Sequence, residues 1–250
     1  MKKHLKLLFA TTIVLSGIGT GRFALATPNS ADTNAEIEFT LDPGPSEITT
    51  PDPDVPDGET PDDGGSGSGG LLRIDHVSNF NFGLQYLNPN TGGTFHALGQ
   101  TWGNGAYTTS PFIQVTDARG THTGWNLHVE QNGQFENANG ERLDGASLRL
   151  THLQTSNTAH EMSPAFDMPV TGSYDANGMI ALAPNGGSRL IATADVDAGV
   201  GETHIIFGFM LPTGFTSGVQ LSVPPYTSLP TDLEFSTSLT WTLSNTPTAP

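Results

Sequence analysis

Gly124-Trp125-Asn126-Leu127-His128-Val129 alternates large apolar side chains with polar ones, and Leu239-Thr240-Trp241-Thr242-Leu243 repeats the pattern far downstream. Successive side chains of a β-strand point to opposite faces, so Trp and Leu two positions apart share one side of a sheet. On the first stretch Trp125, Leu127 and Val129 form one face and Asn126, His128 and Glu130 the other. On the second, Leu239, Trp241 and Leu243 oppose Thr240, Thr242 and Ser244. Such alternation marks a strand that covers a core on one side and meets water on the other. Two readings of the indoles stay open: both are core, or they line a shallow groove in which an aromatic face meets the C–H side of a sugar ring. Under the first reading Asn126, His128, Thr240 and Thr242 become the binding candidates.

Outward from these stretches the same kind of segment recurs. Short β-type runs at 71–77, 80–84, 112–116, 125–129, 147–153, 179–183, 190–194, 204–210, 219–223 and 235–243 are separated by Gly, Asn, Pro and Asp, with turn signals such as Asn132-Gly133 and Asn139-Gly140 between them. No segment keeps a helical period. The spacing predicts an all-β fold, an antiparallel β-sandwich of immunoglobulin-like kind with about ten strands.

Upstream, Lys2, Lys3 and Lys6, the apolar run 7–18 and Ala24-Leu25-Ala26 read as a secretory signal peptide over residues 1–26, leaving 27–250 as a single domain. Glu36-Ile37-Glu38-Phe39-Thr40-Leu41 alternates and is expected to be the first strand. Residues 42–70 are Pro, Asp, Glu and Gly, ending in Gly64-Gly65-Ser66-Gly67-Ser68-Gly69-Gly70, and are expected to be a disordered acidic insert before the main body at 71–250. No later segment has the run of apolar residues that a spanning helix requires, so no direct membrane insertion is expected.

Cleavage after Ala26 would leave five Arg, no Lys and all 25 acids, a formal charge of −20. That surface repels nucleic acid and anionic lipid, and selects neutral or cationic partners. The chain has no Cys, so no disulfide holds it.

Residues for catalysis do not converge. There is no Gly-x-Ser-x-Gly elbow, no His-Glu-x-x-His and no Cys nucleophile. His122 and His128 flank Trp125 without a third ligand at zinc spacing, and Asp195-Val196-Asp197-Ala198-Gly199 lacks the remaining ligands of a calcium loop. The expectation is a protein without enzymatic activity, metal or cofactor.

Several stretches together resemble the WxL-domain surface proteins of low-GC Gram-positive bacteria. They are the strand-like 36–41, the Pro/Asp insert, Asp75-His76-Val77-Ser78-Asn79-Phe80-Asn81-Phe82-Gly83, Gln114-Val115-Thr116-Asp117 leading through Arg119-Gly120 to the first Trp-x-Leu, Leu221-Ser222-Val223-Pro224, and the second Trp-x-Leu with Ser244-Asn245-Thr246-Pro247. The resemblance implies non-covalent attachment to the cell wall through peptidoglycan, with Trp125, Leu127, Trp241 and Leu243 acting as a pair. It also implies partners among membrane-anchored and wall-anchored surface proteins. In one respect the chain departs from the pattern: Thr231-Asp232-Leu233-Glu234-Phe235 is acidic where many relatives carry Lys and Tyr.

Overall fold

The computed structural model describes residues 37–41, 44, 47–157, 170–171, 174–176, 178–229 and 234–245. The expected signal peptide, its cleavage site and residues 27–36 lie outside them. By internal contacts the chain divides into residues 1–39 and 40–250. Of the first unit only 37–39 are described, in no regular structure, with Ile37 and Phe39 exposed. All the regular structure among the described residues belongs to the second unit.

Fourteen strands and no helix make up its described residues: β1 (Leu72–Val77), β2 (Gly93–Leu98), β3 (Gln100–Trp102), β4 (Tyr107–Thr109), β5 (Phe112–Asp117), β6 (Trp125–Gln131), β7 (Ser147–Thr151), β8 (Leu153–Asn157), β9 (Val170–Thr171), β10 (Met179–Leu182), β11 (Arg189–Ala194), β12 (Gly201–Phe207), β13 (Phe215–Val223) and β14 (Leu239–Ser244). They form three four-stranded antiparallel sheets, β1-β5-β12-β8, β10-β7-β13-β2 and β14-β6-β11-β9, and a β3-β4 hairpin. Alternate residues of the three sheets, among them Ile113 and Ile205, Leu148 and Val219, and Leu127 and Ile191, face one shared core. The sheets therefore pack in the sandwich manner that the alternation predicts.

The fourteen strands exceed the expected ten for local reasons. The single run expected at 147–153 is two strands, because His152 takes a left-handed φ of 52° between β7 and β8 and sends them into different sheets. β2, β3 and β4 lie in sequence rich in Gly and Thr, where periodicity gave no signal. The run at 80–84 is not a strand, although its alternation survives: Phe80 and Phe82 are half-buried, Asn79 and Asn81 exposed.

Two expectations about the N-terminal region are corrected. Residues 37–41 are in no strand, and Leu41 is exposed along with Ile37 and Phe39. A strand needs a neighbour for its backbone groups, and among the described residues none takes them. The insert expected to be disordered is, over its described residues 47–70, laid on the outer face of the β1-β5-β12-β8 sheet. Gln114 on β5 holds its backbone from both sides, accepting from Thr49 N (2.8 Å) and donating to Glu47 O (2.8 Å). Val55 is buried with Trp102 and Phe112, whose rings stack at 5.7 Å, in a second small core. Asp62 then accepts from Asn104 N and Gly105 N and pins the turn of the β3-β4 hairpin. Finally Ser68 N donates to Ile74 O (2.7 Å) and Ser66 N to Val77 O (3.3 Å), so the Gly/Ser run covers the outer edge of β1. A Cβ on Gly67 would come within 2.6 Å of Asp75 O. The glycines thus serve close approach of two backbones.

Beneath this strap lies a polar cluster. Arg73 and Asp75 form a buried ion pair at 2.6 Å, and Thr116 Oγ1 donates to Asp75 Oδ2 at 2.5 Å. Thr49 Oγ1 donates to Glu202, while His204 Nε2 lies 3.2 Å from Thr49 O. Burial pushes the His204 imidazole down from 6.5 to about 4 and raises the Glu202 carboxyl. The unfolded chain takes up the His204 proton first. Its contribution to stability is therefore full above about pH 6.5 and is lost as pH falls toward about 4, a loss on the order of 3 kcal/mol if complete. The Glu202 carboxyl, raised by burial, works in the opposite direction as pH falls. His204→Gln is expected to flatten the decline of the melting temperature between about pH 7 and about pH 4. A variant whose decline matches the parent's would contradict this role of His204.

Candidate functional site

β6 carries the first Trp-x-Leu and lies inside its sheet, with β11 on one side and β14 on the other. Gly124, at φ 73°, delivers the chain into it, and a Cβ there would collide with Ala194 O. Trp125 comes next and has no solvent exposure. Its Nε1 donates to Gly199 O at 3.0 Å, and a Cβ on Gly199 would come within 2.6 Å of that same nitrogen. A buried indole keeps its N–H satisfied here because glycine leaves room for the ring beside the backbone.

β14 pairs with β6 in antiparallel register, with Trp241 opposite Val129, Thr242 opposite His128, Leu243 opposite Leu127 and Ser244 opposite Asn126. The two motifs are therefore neighbours in one sheet, and their apolar residues share its inner face. The residues differ in burial. Trp125 and Leu127 are fully buried, whereas Trp241 and Leu243 are half-buried against the core. Trp241 meets Phe207 (6.1 Å between ring centroids) and Phe80 (6.5 Å, edge-on). On the outer face Asn126 is buried and accepts from Thr193 Oγ1 at 2.7 Å, His128 is half-buried, and Thr240 and Thr242 are exposed.

Beside Trp241 the core opens into a cleft of ≈ 1030 Å³. Its walls carry Phe80, Phe82, Phe95, Phe135, Phe235 and Trp241, and its mouth Asn79, Asn81, Gln85, Ser236 and Ser238. Sequence reasoning missed this feature. The signal for it was the Asn79-Phe80-Asn81-Phe82 alternation, which orients side chains as a strand would while the backbone pairs with nothing regular.

Other candidates resolve into structure. His122 lies 3.3 Å from Asp197, and the 195–199 stretch is the turn between β11 and β12, closed by Ala198 N on Asp195 O. Among the described residues no three His, Asp or Glu side chains gather as a metal site, and no helix is long and apolar enough to cross a membrane.

This geometry, two Trp-x-Leu strands hydrogen-bonded side by side in an all-β domain, coincides with a family assignment. The family model described as "WxL domain surface cell wall-binding" matches residues 26–247. The chain belongs to the WxL-domain family of surface cell wall-binding proteins, and its place is the cell surface, at the wall. No curated protein and no solved structure matches it.

The unequal burial of the indoles gives a test. Trp125→Ala removes a fully enclosed ring and is expected to cost about 3–5 kcal/mol in urea unfolding. Trp241→Ala leaves a hole that opens to the cleft and is expected to cost distinctly less. Equal losses would contradict the difference in packing.

Proposed function

We propose that this protein is a non-catalytic wall-retention module that binds peptidoglycan through the sheet which its two Trp-x-Leu motifs build. The observation that carries the proposal is the β6-β14 register, which joins the motifs into one surface. In this reading the motif residues divide their labour. Trp125 and Leu127, fully enclosed, fix the position of β6. Trp241 and Leu243 seat β14 on it. The outer face then presents His128, Thr240 and Thr242 as a polar strip, with Asn126 locked beneath by Thr193. A sheet face with hydroxyl and imidazole groups suits a neutral, repeating sugar surface, and many weak contacts along a wall retain a protein that binds each site weakly. The acidic chain charge favours such a neutral ligand over anionic wall polymers.

A second reading is favoured by the enclosure of Trp125: the motifs are structural, and the true partner is another protein of the surface. The two separate in one experiment. The purified chain is expected to sediment with peptidoglycan stripped of accessory polymers. A His128→Ala/Thr240→Ala/Thr242→Ala variant should melt as the parent does and sediment at least roughly tenfold less, the loss expected when several polar contacts vanish together. Loss of binding on stripping the polymers, or full binding by the triple variant, would overturn the proposal. Retention should also strengthen as pH falls toward the sequence pI of ≈ 4.5, as repulsion fades.

A further inference from the structure

The cleft beside Trp241 is bounded by two sheet edges that are treated differently. The edge of β1 is covered: the segment around Ser66 and Ser68 bonds to Val77 O and Ile74 O, and Ser68 Oγ accepts from Ile74 N at 2.9 Å. β14 also lies at the edge of its sheet, with β6 on one side only. Among the described residues no backbone group of Leu239–Ser244 bonds to anything on the other side. An edge strand left open presents a row of donors and acceptors to any extended chain, and proteins blunt such edges with Lys, Pro, bulges or a covering segment. Among the described residues β14 has none of these devices. It contains no charge and no Pro, and it pairs with β6 without a bulge.

The open edge adjoins apolar volume. Leu239 and Trp241 project from β14 into the cleft, whose wall continues through Phe80, Phe82 and Phe235. A strand added along β14 would alternate in step with it, so every second side chain would point into that volume. Charge decides what kind of strand. The cleft lining holds one ionisable residue, Glu234, and no basic one, in a chain of formal charge −16. A second copy of the chain brings like charge to the contact, and so does its own exposed 37–41 stretch, which carries Glu38. Like charges brought together in this way oppose docking, and basic ones favour it.

We propose that the β14 edge and the adjoining cleft form a docking site for an extended segment of another protein, which adds as a fifth strand to the β14-β6-β11-β9 sheet, places alternate apolar side chains in the cleft and carries Lys or Arg between or beside them. The site does not depend on peptidoglycan binding, and its test contains no wall material.

The probe is a short fluorescein-labelled peptide alternating lysine with valine and phenylalanine, titrated with the full chain at low salt and followed by anisotropy. Three companions separate the sources of affinity. One carries backbone N-methyl groups along one edge, one carries N-methyl groups along the opposite edge, and one replaces every lysine by glutamate. The parent peptide is expected to bind. One of the N-methylated forms should bind at least roughly tenfold more weakly, since several backbone hydrogen bonds vanish together. The glutamate form should show no binding. Trp241 is the half-exposed member of the three tryptophans, so bound peptide should also lower acrylamide quenching of the protein fluorescence. Equal affinity of the parent and both N-methylated forms would remove the strand addition, and equal affinity of the lysine and glutamate forms would remove the charge selection. No peptide binding at all, displacement of bound peptide by a fatty acid alone, or self-association of the chain in sedimentation would overturn the proposal.

Discussion

The pairing of β6 with β14 is the constraint on which the site depends. β6 brings Trp125 and Leu127 to the core, but one of its edges would stand open without β14. β14 in turn has no other strand to hold it among the described residues. Each motif therefore completes the other: Leu243 lies opposite Leu127 and Trp241 opposite Val129, and the apolar faces add into one surface only in that register. A slip by one residue would turn Trp241 and Leu243 outward and bring Thr240 and Thr242 onto the core.

Much of this was legible in the sequence. Alternation at 125–129 and 239–243 identified the strands and which side chains share a face with each indole, and left open whether that face is core or groove. It could not show that the two strands are neighbours, because pairing partners carry no local signal when they are far apart in the chain. Nor could it distinguish the enclosed Trp125 from the half-buried Trp241, since identical alternation serves an inner strand and an edge strand. The chain resembles the family in both motifs, and that resemblance, not periodicity, suggested that they work as a pair.

The misreadings share a cause. Composition treats Pro, Asp, Gly and Ser as solvated chain, and residues 47–70 are mostly of these types. What binds that segment lies elsewhere: the amide of Gln114, the ring of Trp102, and the carbonyls along β1. A segment with little apolar surface of its own is ordered here because it satisfies polar groups that the sheet would otherwise bury unpaired. The opposite error occurred at 37–41, where alternation promised a strand and no neighbour among the described residues supplied the hydrogen bonds. The cleft belongs to neither class. It exists because Phe80 and Phe82 line apolar walls without filling the space between them.

The β6-β14 pair joins strands that lie far apart in the sequence. β6 ends at Gln131 and β14 begins at Leu239, so the chain that builds both other four-stranded sheets runs largely between or before them. Closing so long a loop is slow. Until β14 arrives, Leu127 and Val129 lack one flank of their cover. The pairing of β14 with β6 creates the paired motif surface, so a chain that ended before β14 would keep its two other four-stranded sheets and lack its site.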